Sequence, residues 1–176
     1  NYIKKKGEDS QLELNFLKNS KSNRFENIKF TSKEKKINIQ YLSFNKNFIL
    51  NDLDKIIIDL GERNNLKVFK KNNSYKIAGS SLDLSKYLSS KSNKKSLNLE
   101  LDIDGNIDTK FKKIYLPGEY LIDYENKIQF KKGKIIKLNS FANFTDLTSF
   151  SHKVLKNEMG NRMLLINSDK AKPLLA

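Results

Sequence analysis

Apolar and polar residues alternate along most of this chain, in short runs that break at turns. Leu97, Leu99, Leu101 and Ile103 alternate with Asn98, Glu100, Asp102 and Asp104, and the run stops at Gly105-Asn106. A period of two sends one set of side chains to a buried face of a β-strand and the other to a wet face. The same period recurs at Leu12/Leu14/Phe16, Ile28/Phe30, Ile37/Ile39/Tyr41 and Ile128/Phe130. No long stretch of helical periodicity interrupts it. The pattern predicts a curved, open, mainly antiparallel meander, an architecture of surfaces and grooves.

Turn residues divide the pattern into elements. Strands are predicted at Leu12–Leu17, Phe25–Phe30 and Ile37–Phe44, then at Phe48–Leu60, where three consecutive isoleucines (Ile56 to Ile58) favour a strand over a helix begun at Asn51. Leu66–Phe69 and Tyr75–Ala78 read as a compact hairpin. Leu82, Leu84, Tyr87 and Leu88 break the rhythm, and Asp83 or Ser85 can cap a turn or two of helix within Asp83–Ser90. Strands resume at Leu97–Ile103, Ile107–Phe111, Ile114–Leu116, Glu119–Tyr124, Lys127–Phe130, Ile135–Phe141 and Met163–Ile166, with Pro117-Gly118 and Lys132-Gly133 as turns. Leu147–Leu155 fits strand and helix equally, and Asp169–Leu175 reads as the start of a second short helix. No Pro/Ser-rich linker divides the chain, so residues 1–176 are expected to form one β-rich unit. The chain opens on Asn1 rather than Met, and it is expected to be a segment of a longer protein.

Charge changes the picture less than its size suggests. The net charge is +14, which invites a nucleic-acid partner. Yet 31 of the 34 cationic residues are lysine, and phosphate and base recognition favour the forked guanidinium of arginine. The chain also has 22 Asn and 17 Ile against 4 Ala and 2 Pro, the signature of A/T-rich codons rather than of selection for phosphate. The charge is dispersed: residues 1–36 sum to +5, 67–95 to +7 and 110–137 to +5, while 96–109 sum to −4. Solvated lysine faces are the expectation, with no specific nucleic acid as partner.

Candidate chemistry is sparse. Asp102-x-Asp104-x-Asn106-x-Asp108 resembles the opening of a calcium loop, but Ile107 stands where the EF-hand needs glycine and Lys113 where it needs glutamate. The run is better read as a solvated strand entering an Asp-Gly hairpin turn, and no metal is expected. His152 is the lone histidine, without cysteine anywhere in the chain, and is expected to be structural. Gly79-Ser80-Ser81 lacks the second glycine of a nucleophile elbow, and no glycine-rich phosphate loop occurs. No enzyme activity and no cofactor are expected.

Two stretches carry a family resemblance. Asn65-Leu66-Lys67-Val68-Phe69, a turn, and then Tyr75-Lys76-Ile77-Ala78-Gly79-Ser80-Ser81-Leu82-Asp83-Leu84-Ser85-Lys86-Tyr87-Leu88 resembles the strand, polar step, Leu-Asp pair and small helix of the AsmA-like (YhdP-type) proteins of Gram-negative bacteria. Gly160-Asn161-Arg162-Met163-Leu164-Leu165-Ile166-Asn167-Ser168-Asp169 followed by Lys170-Ala171-Lys172-Pro173-Leu174-Leu175 resembles that family's strand, Ser-Asp step and Leu-Leu helix start, with Lys170–Pro173 in place of the family's Ala-Gly pair. The resemblance covers residues 48–176. It implies a piece of a long β-groove protein, anchored in the inner membrane by a region outside this segment, extending through the periplasm and moving phospholipids between membranes. It implies no catalytic residue. The implied partners are phospholipid acyl chains and adjacent segments of the same parent chain.

On this reading the groove is lined by Leu97, Leu99, Leu101, Ile103, Leu12, Leu14, Phe16, Ile37, Ile39 and Tyr41. A β-rich envelope scaffold without a groove is the alternative, and a basic nucleic-acid-binding module a further one. The test between groove and scaffold is continuity: whether one apolar stripe runs off both ends of the sheet.

Overall fold

A computed structural model describes residues 9–18, 23–44, 50–89, 104–132, 134–156 and 161–170. It is all-β. Eleven strands form one open sheet in sequence order: β1 (Gln11–Lys18), β2 (Asn23–Ser32), β3 (Lys35–Phe44), β4 (Leu50–Asp59), β5 (Asn65–Lys71), β6 (Ser74–Asp83), β7 (Gly105–Leu116), β8 (Glu119–Lys131), β9 (Lys134–Phe144), β10 (Ser149–Lys156) and β11 (Arg162–Ser168). Among the described residues the only helix is α1 (Ser85–Ser89). It lies within the predicted Asp83–Ser90, and Asp83 caps it, accepting a hydrogen bond from the Ser85 backbone N–H at 2.9 Å.

Every neighbouring pair is antiparallel except β6 and β7, which run parallel. The molecule is therefore two meanders, β1–β6 and β7–β11, joined at a parallel seam, with α1 on the connection that parallel pairing requires. This seam corrects the reading of Asp104-Gly105 as a hairpin turn. Both edges of β7 are occupied, by β6 and by β8, and Gly105 opens the strand instead of turning a hairpin. Its φ is +138°, and its backbone lies against the Asn73 carbonyl so closely that a side chain would not fit. The Leu97–Ile103 run lies outside the described residues.

Two predicted breaks vanish. Ile107–Phe111 and Ile114–Leu116 are one strand, β7; Glu119–Tyr124 and Lys127–Phe130 are one strand, β8. In each the alternation slips by one residue, so Phe111 and Ile114, three apart, are both buried. Asp123, at φ +52°, makes the slip in β8, where two residues oppose one on β9. Such bulges bend a strand and sharpen its twist. The ambiguous Leu147–Leu155 region is strand β10. Asp169 follows the end of β11; residues 171–176 of the second predicted helix lie outside the described residues.

The core sits in the second meander. Phe111, Ile114, Leu121, Ala142 and Phe144 are buried, with Leu66, Ile77, Leu82, Leu84, Leu116, Tyr124 and Phe150 packed on them.

Candidate functional site

The register of the eleven strands sorts the side chains into two unlike faces. Directly opposed residues share a face, so a row can be followed from one edge of the sheet to the other. The row begins Leu14, Ile28, Ile39, Ile56, Val68, Ile77, one residue from each of β1 to β6. It continues Thr109, Asn126, Ser140, His152 across β7 to β10 and ends at Ile166 on β11. The parallel row above it carries Leu12, Phe30, Ile37, Ile58 and Leu66, then Gly79 and Phe111. The row below carries Ile107, Ile128, Leu138, Val154 and Leu164 in the second meander.

The alternate rows are mainly polar, with Ile57, Phe69, Phe141 and Leu165 as apolar exceptions. One reads Glu13, Lys29, Asn38, Ile57, Lys67, Ala78, Lys110, Glu125 over β1 to β8; the next includes Lys55, Lys76, Asp108, Lys127, Asn139 and Lys153. Lys29 pairs with Glu13 at 3.6 Å and Lys110 with Glu125 at 2.5 Å on this face. These lysines form part of the wet side of the sheet.

The apolar face is half-buried over β2 to β6, buried at Phe111, Asn126 and Ser140 in the second meander, and exposed at both edges. Leu14 on β1 is 53% exposed and Leu164 on β11 is 58% exposed. With strands about 4.8 Å apart, eleven strands make the face about 48 Å wide from edge to edge.

The structure brings Leu12, Leu14, Phe16, Ile37 and Ile39 to this face, and the Phe16 ring packs tilted against Phe25 with ring centres 4.8 Å apart. Tyr41 is not with them. Its φ of +52° breaks the alternation, its ring lies beneath the Arg24 guanidinium at 5.3 Å, and Leu42 takes its expected place, opposed to Phe25 and Leu53. Leu97, Leu99, Leu101 and Ile103 lie outside the described residues.

Sequence reasoning missed the polar ladder in the middle of the apolar face. The Ser140 hydroxyl donates to Asn126 Oδ1 at 2.8 Å and lies 2.9 Å from His152 Nε2. Because the serine proton is committed to Asn126, His152 is the donor in the second bond. Ser140 is 1% exposed and Asn126 8%. Burial pushes the His152 pKa down and the Tyr124 pKa up. Burial therefore favours the neutral forms of both rings. It is not a nucleophile and base: the serine donates away from the histidine, and the strand N–H groups around it are spent on the sheet ladder. The signal available in sequence was the polar inward position in three successive strands, legible only once their register is known.

A second cluster closes the end of the sheet near α1. The Lys170 ammonium bridges Glu119 Oε2 at 3.0 Å and Asp146 Oδ2 at 2.9 Å. The Thr148 hydroxyl and then Lys170 hold the Asp146 carboxyl down at about 2, and Lys170 holds Glu119 below its usual range. Nearby, Arg63 lies 5.0 Å over the Tyr115 ring and 3.3 Å from Asp83. These pairs clasp loops to strands, with Lys170, Glu119 and Asp83 part-buried and Asp146 and Arg63 exposed. Asp104, from the supposed calcium loop, accepts a hydrogen bond from the Lys132 backbone N–H, while Asp108 lies between Lys76 and Lys127 on the polar face.

Compared with known proteins, the chain matches no family model, no curated protein and no solved structure.

Proposed function

We propose that this chain is a segment of an AsmA-like envelope protein whose apolar face carries phospholipid acyl chains between membranes. The observation behind the reading is the unbroken lateral row of aliphatic side chains over β1 to β6, continued by apolar rows to β11 and exposed at both edges. The face passes over the buried core of the second meander and runs out to the two edge strands of the described sheet, where Leu14 and Leu164 are exposed, each edge able to continue into an adjacent segment of a longer sheet. Each acyl methylene laid on such a face gains about 0.8 kcal/mol by leaving water. The opposite, lysine-rich face keeps the segment wetted in the periplasm, and the anchor to the inner membrane belongs to a region outside this segment. The activity is transport along a surface and involves no covalent chemistry.

Photo-cross-linking in cells tests this. A photoreactive residue at position 39, 56 or 68 is expected to yield lipid adducts, and one at position 38, 55 or 67, on the polar face, is expected to yield none. Equal labelling of the two faces, or none on either, leaves the scaffold reading in its place.

A further inference from the structure

The apolar face is not uniform, and the break in it has a chemistry. Six aliphatic residues, Leu14 to Ile77, span β1 to β6, about 24 Å at the usual strand spacing. That exceeds the roughly 15 Å of hydrocarbon in one leaflet of a bilayer whose core is about 30 Å thick. Immediately beyond Ile77 the row turns polar at Thr109 and Asn126.

The orientation of Asn126 is fixed from behind. Its Oδ1 accepts the Ser140 proton, and Ser140 in turn receives the His152 Nε2–H. What the ladder leaves over is a donor: the Asn126 amide nitrogen has no protein partner among the described residues, nor is it sealed from solvent. The Thr109 hydroxyl, directly opposed to Asn126, is half-buried beside it. Two neutral donors therefore meet the end of a hydrocarbon-lined stretch. Across β6 to β11 the three rows of this face carry no Lys, Arg, Asp or Glu. A phosphate set there would lose its hydration without a counter-charge, and bare hydrocarbon would leave the amide unpaired. The group that fits is a neutral acceptor attached to an alkyl chain.

We propose that Thr109 and Asn126 form a subsite for the ester carbonyl of an acyl lipid, the acyl chain lying over β1 to β6, with Ser140 and His152 as positioning residues. This rests on the reading that the face takes hydrocarbon. The test measures binding of two probes to the purified protein, methyl palmitate labelled with carbon-13 at its carbonyl and octadecane. The wild type is expected to hold the ester about tenfold tighter, as two net hydrogen bonds would give, and to lower its carbonyl stretching frequency. Thr109→Val, which adds no bulk, and the paired Asn126→Leu/Ser140→Ala substitution are expected to bring the two probes within about twofold and abolish the frequency shift. Octadecane binding should stay unchanged in both variants. Equal binding of the two probes by the wild type, with no shift, overturns the subsite and leaves the apolar face; binding of neither overturns the face reading and the subsite with it.

Discussion

Gly79 is the residue on which the inner face turns. It stands between Leu66 and Phe111 in the row that the first meander hands to the second. A side chain there would run into the Asn65 carbonyl and come within 2.9 Å of the Phe111 ring. Phe111, 1% exposed, spreads over the backbone that the glycine leaves open, as aromatic residues do beside strand glycines. Gly79→Ala is expected to cost about 1–3 kcal/mol by overpacking, and Phe111→Ala about 3–5 kcal/mol by cavity formation, both read from urea midpoints at constant slope. A Gly79→Ala protein as stable as the parent would mean the close approach is absent. Neither role is marked in the sequence, where Gly79 reads as a strand end and Phe111 as one alternating aromatic among several.

At the scale of the strand, the slips in alternation do more than add twist. Asp123 in β8 and Tyr41 in β3 both hold positive φ in mid-strand, and each moves the next apolar residue back to the inner face. Without the slip in β8, Leu121 and Tyr124 could not both pack on the core. An L-residue other than Gly, Asn or Asp pays about 1–2 kcal/mol in the left-handed region. Asp123→Val is therefore expected to lower stability by about that amount, while Asp123→Gly leaves it unchanged or raised, measured by thermal or urea unfolding. Equal loss in both would place the cost in the carboxylate instead of the backbone. The segments Ile107–Phe111 and Ile114–Leu116 of β7 were legible as β-structure, but a slip in the alternation looks in sequence like a turn, because both interrupt a period of two.

For the whole molecule the decisive property is that its two faces differ. Among the described residues, Lys29, Lys55, Lys67, Lys76, Lys110, Lys127 and Lys153 stand on the polar face, interrupted by Glu13, Asp108 and Glu125. Exposed pairs of this kind contribute little to stability, and an interrupted lysine surface lacks the arginine forks that read bases. Binding to duplex DNA is expected to be weak, indifferent to sequence and lost between about 50 mM and about 200 mM salt, as fluorescence anisotropy would report. Tight binding to one sequence that persists at the higher salt would reassign the polar face as the working surface.

The sequence by itself determined the fold class, nearly every strand, the short capped helix and which residues are apolar, because each of these follows from a local period or a local turn. Leu12, Leu14, Phe16, Ile37 and Ile39 could be placed on one face of their own strands for the same reason. Only the tertiary structure decided that those faces join into one row from β1 to β11, since register depends on pairings between residues far apart in the chain. It alone set the parallel seam that turns Gly105 from a hairpin residue into a strand start, and moved Tyr41 off the face through a single backbone angle. It also assembled Asn126, Ser140 and His152, each unremarkable in its own strand, into one hydrogen-bonded line.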